Sequence, residues 1–146
     1  RWLTWSGRSP QGQADVEAFD TNVLVRLLVR DDVDQCSRAE LVWRHAIATG
    51  GAWIATVVLV EVSWVLRSAY GFDRPTIAAT LHRLLGSEGV CTEDETIVLR
   101  ALDGYEVGPA DFADYVILEA ARAGGSLPLN TFDERLARAP GTRLVP

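Results

Sequence analysis

Apolar residues occur along this chain in two kinds of segment, short runs and longer stretches with helical spacing. The short runs predict strands over 16–19, 52–55, 90–92, 127–130 and 142–145. The longer stretches predict helices between them, over 21–29, 34–49, 56–69, 73–86, 94–102, 110–123 and 133–137. Strands that alternate with helices predict an α/β fold, a three-layer α/β/α sandwich with a mainly parallel sheet.

The N-terminal residues depart from this pattern. Residues 1–15 are polar and contain Gly, Ser, Gln and two isolated tryptophans, so we expect a flexible N-terminal extension followed by one domain over 16–146. No apolar run approaches the roughly 18 residues that suggest a membrane span, and the N-terminus has no apolar stretch typical of a signal peptide. We therefore expect a cytoplasmic protein without membrane association.

The charge balance is unfavourable for binding a polyanion. The chain carries 20 acidic and 14 basic side chains, which gives a net charge of −6. All of the basic side chains are arginines, which suit bidentate phosphate contacts, although a GC-rich genome would produce the same bias. Arg26 and Arg30 lie one turn apart on a predicted helix, where they would contact RNA or an acidic partner, or form a solvated face.

The histidines and cysteines do not suggest a metal site or a nucleophile. Cys36 and Cys91 are far apart and belong to no CxxC motif, so we expect reduced thiols. His45 and His82 fall on polar faces of predicted helices, and their spacing to the cysteines does not match a zinc site. Structural roles are expected for all four.

Acidic residues, in contrast, occupy informative positions. Asp20 and Asp133 each follow a predicted strand and open a helix, and the carboxyl ends of parallel strands share the edge where α/β sheets bind ligands. Glu61 interrupts an apolar helical run, where an ionised group is costly unless it is paired or ligates a cation. Asp114 shares a helical face with Asp111.

Carboxylates gathered at one edge repel each other, by on the order of 4 kcal/mol for a pair about 4 Å apart in a protein-like dielectric. No Lys or His lies near these acids in the sequence, so a divalent cation such as Mg²⁺ is the expected counter-charge. Such a cation activates water and neutralises charge on a phosphate under attack. Ordinary structural explanations are also available: Asp20, Asp111 and Asp133 can cap helices, and Asp114 can pair with Arg122 or another surface Arg. Glu61 is the hardest to explain in this way, because its helix is apolar on nearly every side.

Four segments of the sequence resemble the PIN-domain family, and within it the VapC-type toxins. They are FDTNVLVRLL around Asp20, VVLVEVSWVLRSAYG around Glu61, ADFADYVILEAA around Asp114 and LNTFDERL around Asp133. They occur in the family's order and span residues 18–136. The resemblance implies an α/β/α sandwich and cleavage of single-stranded RNA that depends on Mg²⁺ or Mn²⁺.

The resemblance also implies roles for individual residues. Asp20 and Asp114 match the principal metal ligands of an acidic quartet. Glu61 matches an acid that binds metal or orients the attacking water, and Asp133 matches one that supports a second metal position. Three further residues match positions of the pocket, the last of them with a less certain role: Asn22, Thr131 and Asp111.

The family further implies a homodimer and inhibition by a cognate antitoxin whose C-terminal segment blocks the site. The helices predicted over 21–29 and 56–69 carry more apolar residues than one inward stripe requires, so they offer either a docking surface or core contacts: Leu24, Leu27, Leu28, Trp64 and Leu66. The main alternative function is a catalytically silent PIN-fold module that binds RNA or protein. A phosphatase with an aspartyl nucleophile is disfavoured, because it needs an Asp where Asn22 stands.

Overall fold

The strands of the computed structural model, which describes residues 15–146, pair in parallel and form two groups. A three-stranded sheet has the order β1 (Glu17–Ala18), β2 (Ala52–Ile54) and β3 (Val90–Thr92). Separately, β4 (Leu129–Thr131) pairs with β5 (Thr142–Leu144). The predicted α/β fold with parallel strands is confirmed. The flexible extension predicted over 1–15 concerns residues that, apart from Asp15, lie outside the described part.

Helices connect and cover these strands in the described chain. Their bounds are α1 Thr21–Val29, α2 Val33–Thr49, α3 Thr56–Ser68, α4 Arg74–Gly86, α5 Glu95–Val107 and α6 Phe112–Ala123. A short 3-10 helix, Leu136–Arg138, lies between β4 and β5. Among residues 15–146, none of the helices combines the length and the apolarity that crossing a bilayer requires.

Aspartates define where four of these helices begin. Asp20, Asp32, Asp73 and Asp94 each accept a hydrogen bond from a backbone N–H of the first turn, at 2.9–3.1 Å. These bonds satisfy donors that a helix N-terminus leaves without an intrahelical partner. The sequence expectation that acids serve as caps is therefore met for Asp20, which begins α1.

The C-terminal third of the chain differs most from the predicted elements. The helix predicted to end at residue 102 continues to Val107, because Tyr105 extends its buried face. Residues 108–111 stay outside the next helix, which begins at Phe112 instead of residue 110. The helix predicted over 133–137 is replaced by a turn followed by the 3-10 helix, and β4 begins two residues later than expected. These differences all affect the segments around Asp111 and Asp133.

The core lies where α1, α3, α4, α5 and α6 pack together over the three-stranded sheet. Its fully buried side chains include Leu24, Ile54, Leu59, Leu66, Ile77, Leu102 and Phe112. Burying one large aliphatic or aromatic side chain contributes about 1.5–3 kcal/mol. Leu24 and Leu66 therefore belong to the core, and they are unavailable to the docking surface considered for them.

The contact between α5 and α6 depends on glycine. Gly104 lies on α5 opposite the Tyr115 ring of α6, and a Cβ at position 104 would lie 2.7 Å from Tyr115 Cδ1. The hydroxyl of Tyr115 accepts a hydrogen bond from the backbone N–H of Ala110 at 3.3 Å. The close approach of the two helices thus fixes Tyr115, and with it the segment that leads to Asp111.

We predict that Gly104→Ala destabilises the protein, although alanine is the better helix former by about 1 kcal/mol. The clash with Tyr115 should cost about 1–3 kcal/mol, as overpacking of a filled core does. Gly86→Ala is the matched control, because nothing lies within 4 Å of a Cβ built at that helical position. Urea unfolding should show a lower midpoint for Gly104→Ala alone. Equal midpoints for both variants would show that the α5–α6 contact tolerates a methyl group.

Candidate active site

The carboxyl ends of the three neighbouring strands meet at one edge of the sheet. The parallel register pairs Ala18 with Trp53 and Trp53 with Cys91. Asp20 follows β1 at this edge and Glu93 follows β3. The Glu93 carboxylate accepts a hydrogen bond from the Thr56 N–H at 2.8 Å. It thereby caps α3, because Ala55 at the N-cap position has no side-chain acceptor. The start of α3 is thereby attached to the end of β3.

A hydrogen bond brings Glu61 of α3 to the N-terminus of α1. The hydroxyl of Thr21 donates to Oε2 of Glu61 at 2.6 Å, and Thr21 directly follows Asp20. Oδ1 of Asp20 is occupied by the Val23 N–H at 3.1 Å. Asp20 and Glu61 are both exposed. Asp20 and Glu61 are 41 positions apart in sequence. The Thr21 side chain brings them near each other, because Thr21 is the neighbour of Asp20 and bonds Glu61.

A second group of acids lies at the start of α6. Oδ2 of Asp114 accepts the Asp111 N–H at 3.0 Å, and Arg67 Nη1 donates to Asp111 Oδ1 at 2.6 Å. Arg67 belongs to α3, as Glu61 does. Glu61, Arg67 and Asp111 line one cavity of about 300 Å³. This cavity joins Glu61 of α3 to Asp111, the residue before α6.

The segment before Asp111 is held by Arg74 of α4. Its guanidinium lies 4.0 Å above the Tyr105 ring. It donates hydrogen bonds to the Tyr105 carbonyl at 2.9 Å and to the Gly108 carbonyl at 2.7 Å, and it also contacts the Ala110 carbonyl. These bonds use carbonyls at the end of α5 and just beyond it. The position of Asp111 therefore depends on an arginine that sequence patterns did not single out.

Asp133 is bound by an arginine two residues away. Arg135 donates from Nε to Oδ1 at 3.2 Å and from Nη2 to Oδ2 at 3.1 Å, and its backbone N–H bonds Oδ1 at 2.8 Å. The hydrogen bonds of Arg135 hold the pKa of Asp133 below its ordinary value. The Asp133 N–H in turn donates a hydrogen bond to the Thr131 hydroxyl at 3.0 Å. Thr131, which was predicted to line the pocket, thus contacts Asp133.

Asp114 shows the opposite electrostatic behaviour. Partial burial raises the pKa of Asp114, and the negative charges of Asp111 and Asp133 raise it further, while Arg135 opposes them. The Asp114 carboxylate thus lies between two other acids and lacks sufficient counter-charge. Arg122 does not supply it, because that side chain pairs with Glu119 at 3.3 Å.

The cations near the acids are arginines, which the argument about Lys and His did not consider. Arg67 and Arg135 neutralise Asp111 and Asp133, and neither was singled out from the sequence. A signal was available for Arg135, which stands two positions after Asp133. Arg67 is six positions after Glu61 and approaches Asp111 only through the packing of α3 against α6.

The predicted quartet does not form one compact ligand group. Within residues 15–146, one group of three has its possible ligand atoms all within 4.8 Å of one another. It consists of His82, Asp103 and Glu106, and it includes none of the quartet. Asp20 and Asn22 line a different cavity, of about 520 Å³, between β1, α1 and α2. The acids instead form two groups, Asp20 with Glu61 and the trio around Asp114.

Other polar residues considered from the sequence have structural partners. His82 Nε2 lies 2.9 Å from Glu106 and joins α4 to α5. Arg26 donates to Gln35, Asp31 and Tyr70, which ties the end of α1 to α2 and to the end of α3. Arg30 pairs with Glu40 at 2.5 Å. Arg26 is thus engaged within the fold, which disfavours it as an RNA contact, whereas Arg30 stays 65% exposed beside Glu40.

The donor set of the site fits a hard divalent cation. Mg²⁺ and Mn²⁺ prefer carboxylate oxygens, and Asp20, Glu61 and Asp114 are carboxylates without an arginine partner among the described residues. Burial raises the pKa of Asp114 most, and the negative charges of Asp111 and Asp133 raise it further. Asp111 and Asp133 fit direct ligation less well, because arginines already occupy their oxygens.

Comparison with known proteins agrees with the fold. A solved structure of VapC20 from Mycobacterium tuberculosis, described as a toxin that cleaves the sarcin-ricin loop, is 17% identical; the alignment covers 87% of this chain and 96% of that one, with a TM-score of 0.39. No curated protein matches the sequence. The family model of the PIN domain matches residues 18–141, which is most of the chain. This chain therefore belongs to the PIN-domain family.

Proposed function

We propose that this protein is a divalent-metal-dependent endoribonuclease that cleaves single-stranded RNA, and that it acts as the toxin of a toxin–antitoxin pair. The observation that carries the proposal is Asp114, a partly buried carboxylate with a raised pKa, in a PIN-domain chain that also presents Asp20 and Glu61. A divalent cation held by these acids would offset their negative charge, and it would support phosphodiester cleavage.

Each residue has a part in the proposed reaction. Asp20, Glu61 and Asp114 would hold Mg²⁺ or Mn²⁺, which when bound activates water and neutralises charge on the phosphate. The hydroxyl of Thr21 fixes Oε2 of Glu61, so that Oε1 can accept the proton of the attacking water. The water oxygen bonds to phosphorus, the bond from phosphorus to the leaving ribose oxygen breaks, and that oxygen takes up a proton. Arg135 keeps Asp133 ionised beside the site.

One observation favours a second candidate, a PIN-fold module that binds RNA or protein without cutting. Arg67 and Arg135 already neutralise Asp111 and Asp133, so two of the family's acids are engaged without any metal. The candidates differ in their response to Mn²⁺. Because a ligand that binds the native state stabilises it by mass action, millimolar Mn²⁺ should raise Tm clearly for the enzyme and leave it unchanged for the module.

We predict that Asp20→Asn removes both the Mn²⁺-induced rise in Tm and RNA cleavage. Asparagine still caps α1, so the fold should persist. Loss of a residue that hydrogen-bonds to a metal ligand costs about 10–100-fold in metal affinity or activity, and loss of a direct ligand should cost at least as much. Asp32→Asn is the matched control, because Asp32 caps α2 in the same way, at the far end of α1. Cleavage of a fluorescent oligoribonucleotide at wild-type rate by Asp20→Asn would disprove the assignment.

We predict that Asp114→Asn stabilises the metal-free protein. A raised pKa means that the folded state disfavours the ionised carboxyl, and the neutral amide removes that penalty while it can still accept the Asp111 N–H. The metal-free Tm at neutral pH should therefore rise by a few degrees. The gain should shrink as the pH falls through the pKa of Asp114, where the wild-type carboxyl becomes protonated. Asp34→Asn, an exposed acid on α2, should give no gain.

The proposal includes the protein partners that the family implies, a second copy of the chain and an antitoxin. Among the apolar residues considered for docking, Trp64 projects into solvent, with 69% of its surface exposed. Val57, at 61%, and Trp64 lie one turn to either side of Glu61 on α3. A protein bound to this face would cover the site acid and the exposed apolar groups together.

We predict that Trp64→Gln weakens self-association of the chain. A tryptophan at the centre of an interface typically contributes about 2 kcal/mol or more. Val107→Gln is the control, since Val107 is 89% exposed at the end of α5. Sedimentation velocity at matched concentrations should show dimers for the wild type and Val107→Gln and monomers for Trp64→Gln. Dimers of undiminished stability in Trp64→Gln would place the dimer interface elsewhere.

A further inference from the structure

We propose that Arg67 and Arg135 are the RNA phosphate-binding residues of this site, one paired with Asp111 and the other with Asp133. The inference rests on the proposed ribonuclease function and names the residues that bring its polyanionic substrate to an acidic surface. Arg67 bonds Asp111, whose backbone N–H donates a hydrogen bond to Asp114, and Arg135 bonds Asp133. Both guanidinium groups therefore contact acids of the candidate site.

Arg67 retains donors for a ligand after binding Asp111. Only Nη1 is used in that bond, and the side chain is 56% exposed. It also lines the cavity that contains Glu61. A guanidinium carries five N–H donors in a planar fork, so the remaining edge can bind phosphate oxygens while Asp111 fixes its position.

Arg135 is arranged in a similar way. Its Nε and Nη2 face Asp133, which leaves Nη1 available, and 51% of the side chain is exposed. Two parallel bonds to one carboxylate hold the guanidinium plane in a defined orientation. A side chain already ordered in this way loses less conformational entropy when it binds a ligand.

Charge explains why such residues are needed. A chain with net charge −6 and several acids at its catalytic edge repels RNA unless basic groups lie at that edge. Two other well-ordered arginines are committed elsewhere, Arg74 to three backbone carbonyls and Arg26 to a network that joins three helices. Arg67 and Arg135 contact site acids and still expose donors.

The test measures RNA binding without requiring turnover. A fluorescein-labelled single-stranded oligoribonucleotide is titrated with the full chain in Ca²⁺, and fluorescence anisotropy gives Kd at several salt concentrations. Arg67→Gln and Arg135→Gln should each weaken binding about tenfold, the cost of losing a charge-assisted hydrogen bond. Each should also lower the slope of log K against log salt by about 0.7, because one phosphate contact is lost. Arg67→Lys and Arg135→Lys should keep the wild-type slope.

Arg44→Gln is the matched control, because Arg44 is an exposed arginine that pairs with Glu40 on α2, and it should change neither affinity nor slope. If the wild type binds and cleaves RNA while both glutamine variants match its affinity and slope, the inference fails and the proposed function stands. If both variants also lose the Mn²⁺-induced rise in Tm, the arginines position the acids instead, and the inference is again overturned. A wild type that neither binds nor cleaves RNA would overturn the proposed function itself.

Discussion

Repulsion between carboxylates that the fold brings to one edge is the constraint on which this structure depends. The protein meets it in two ways. Arginines neutralise Asp111 and Asp133 through bonds of 2.6–3.2 Å. Asp114 has no comparable partner, and its pKa is raised by burial and by its acidic neighbours. Among Asp111, Asp114 and Asp133, the charge without an arginine partner is therefore that of Asp114.

The site and the fold share the same hydrogen bonds. Asp20 caps α1 while it stands at the carboxyl edge of the sheet, and Asp114 accepts the N–H that precedes α6. A cap role and a ligand role are compatible, since a carboxylate has two oxygens and the cap uses one. The structural explanation of these acids therefore does not conflict with the functional one. The helix N-termini also place backbone N–H groups at this edge, which favours negatively charged ligands there.

Much of the fold could be predicted from local patterns. The helices over 21–29 and 56–69 agree with α1 and α3 to within a residue, because the Asp20 cap of α1 and the apolar spacing of both helices are local features of the sequence. The predictions were less accurate from residue 102 onward. There Arg74 holds three carbonyls at the end of α5 and beyond it, and Tyr115 packs on Gly104, so contacts from distant residues decide where the helices end.

The sequence by itself determined the fold class, the family and the acids that could carry chemistry, since periodicity, capping residues and short motifs are encoded along the chain. Only the tertiary structure decided which of those acids pair with an arginine. Arg67 reaches Asp111 from a different helix, 44 positions away, and the packing of α3 against α6 makes that contact possible. Coulomb interactions depend on distance in space, which sequence separation does not specify.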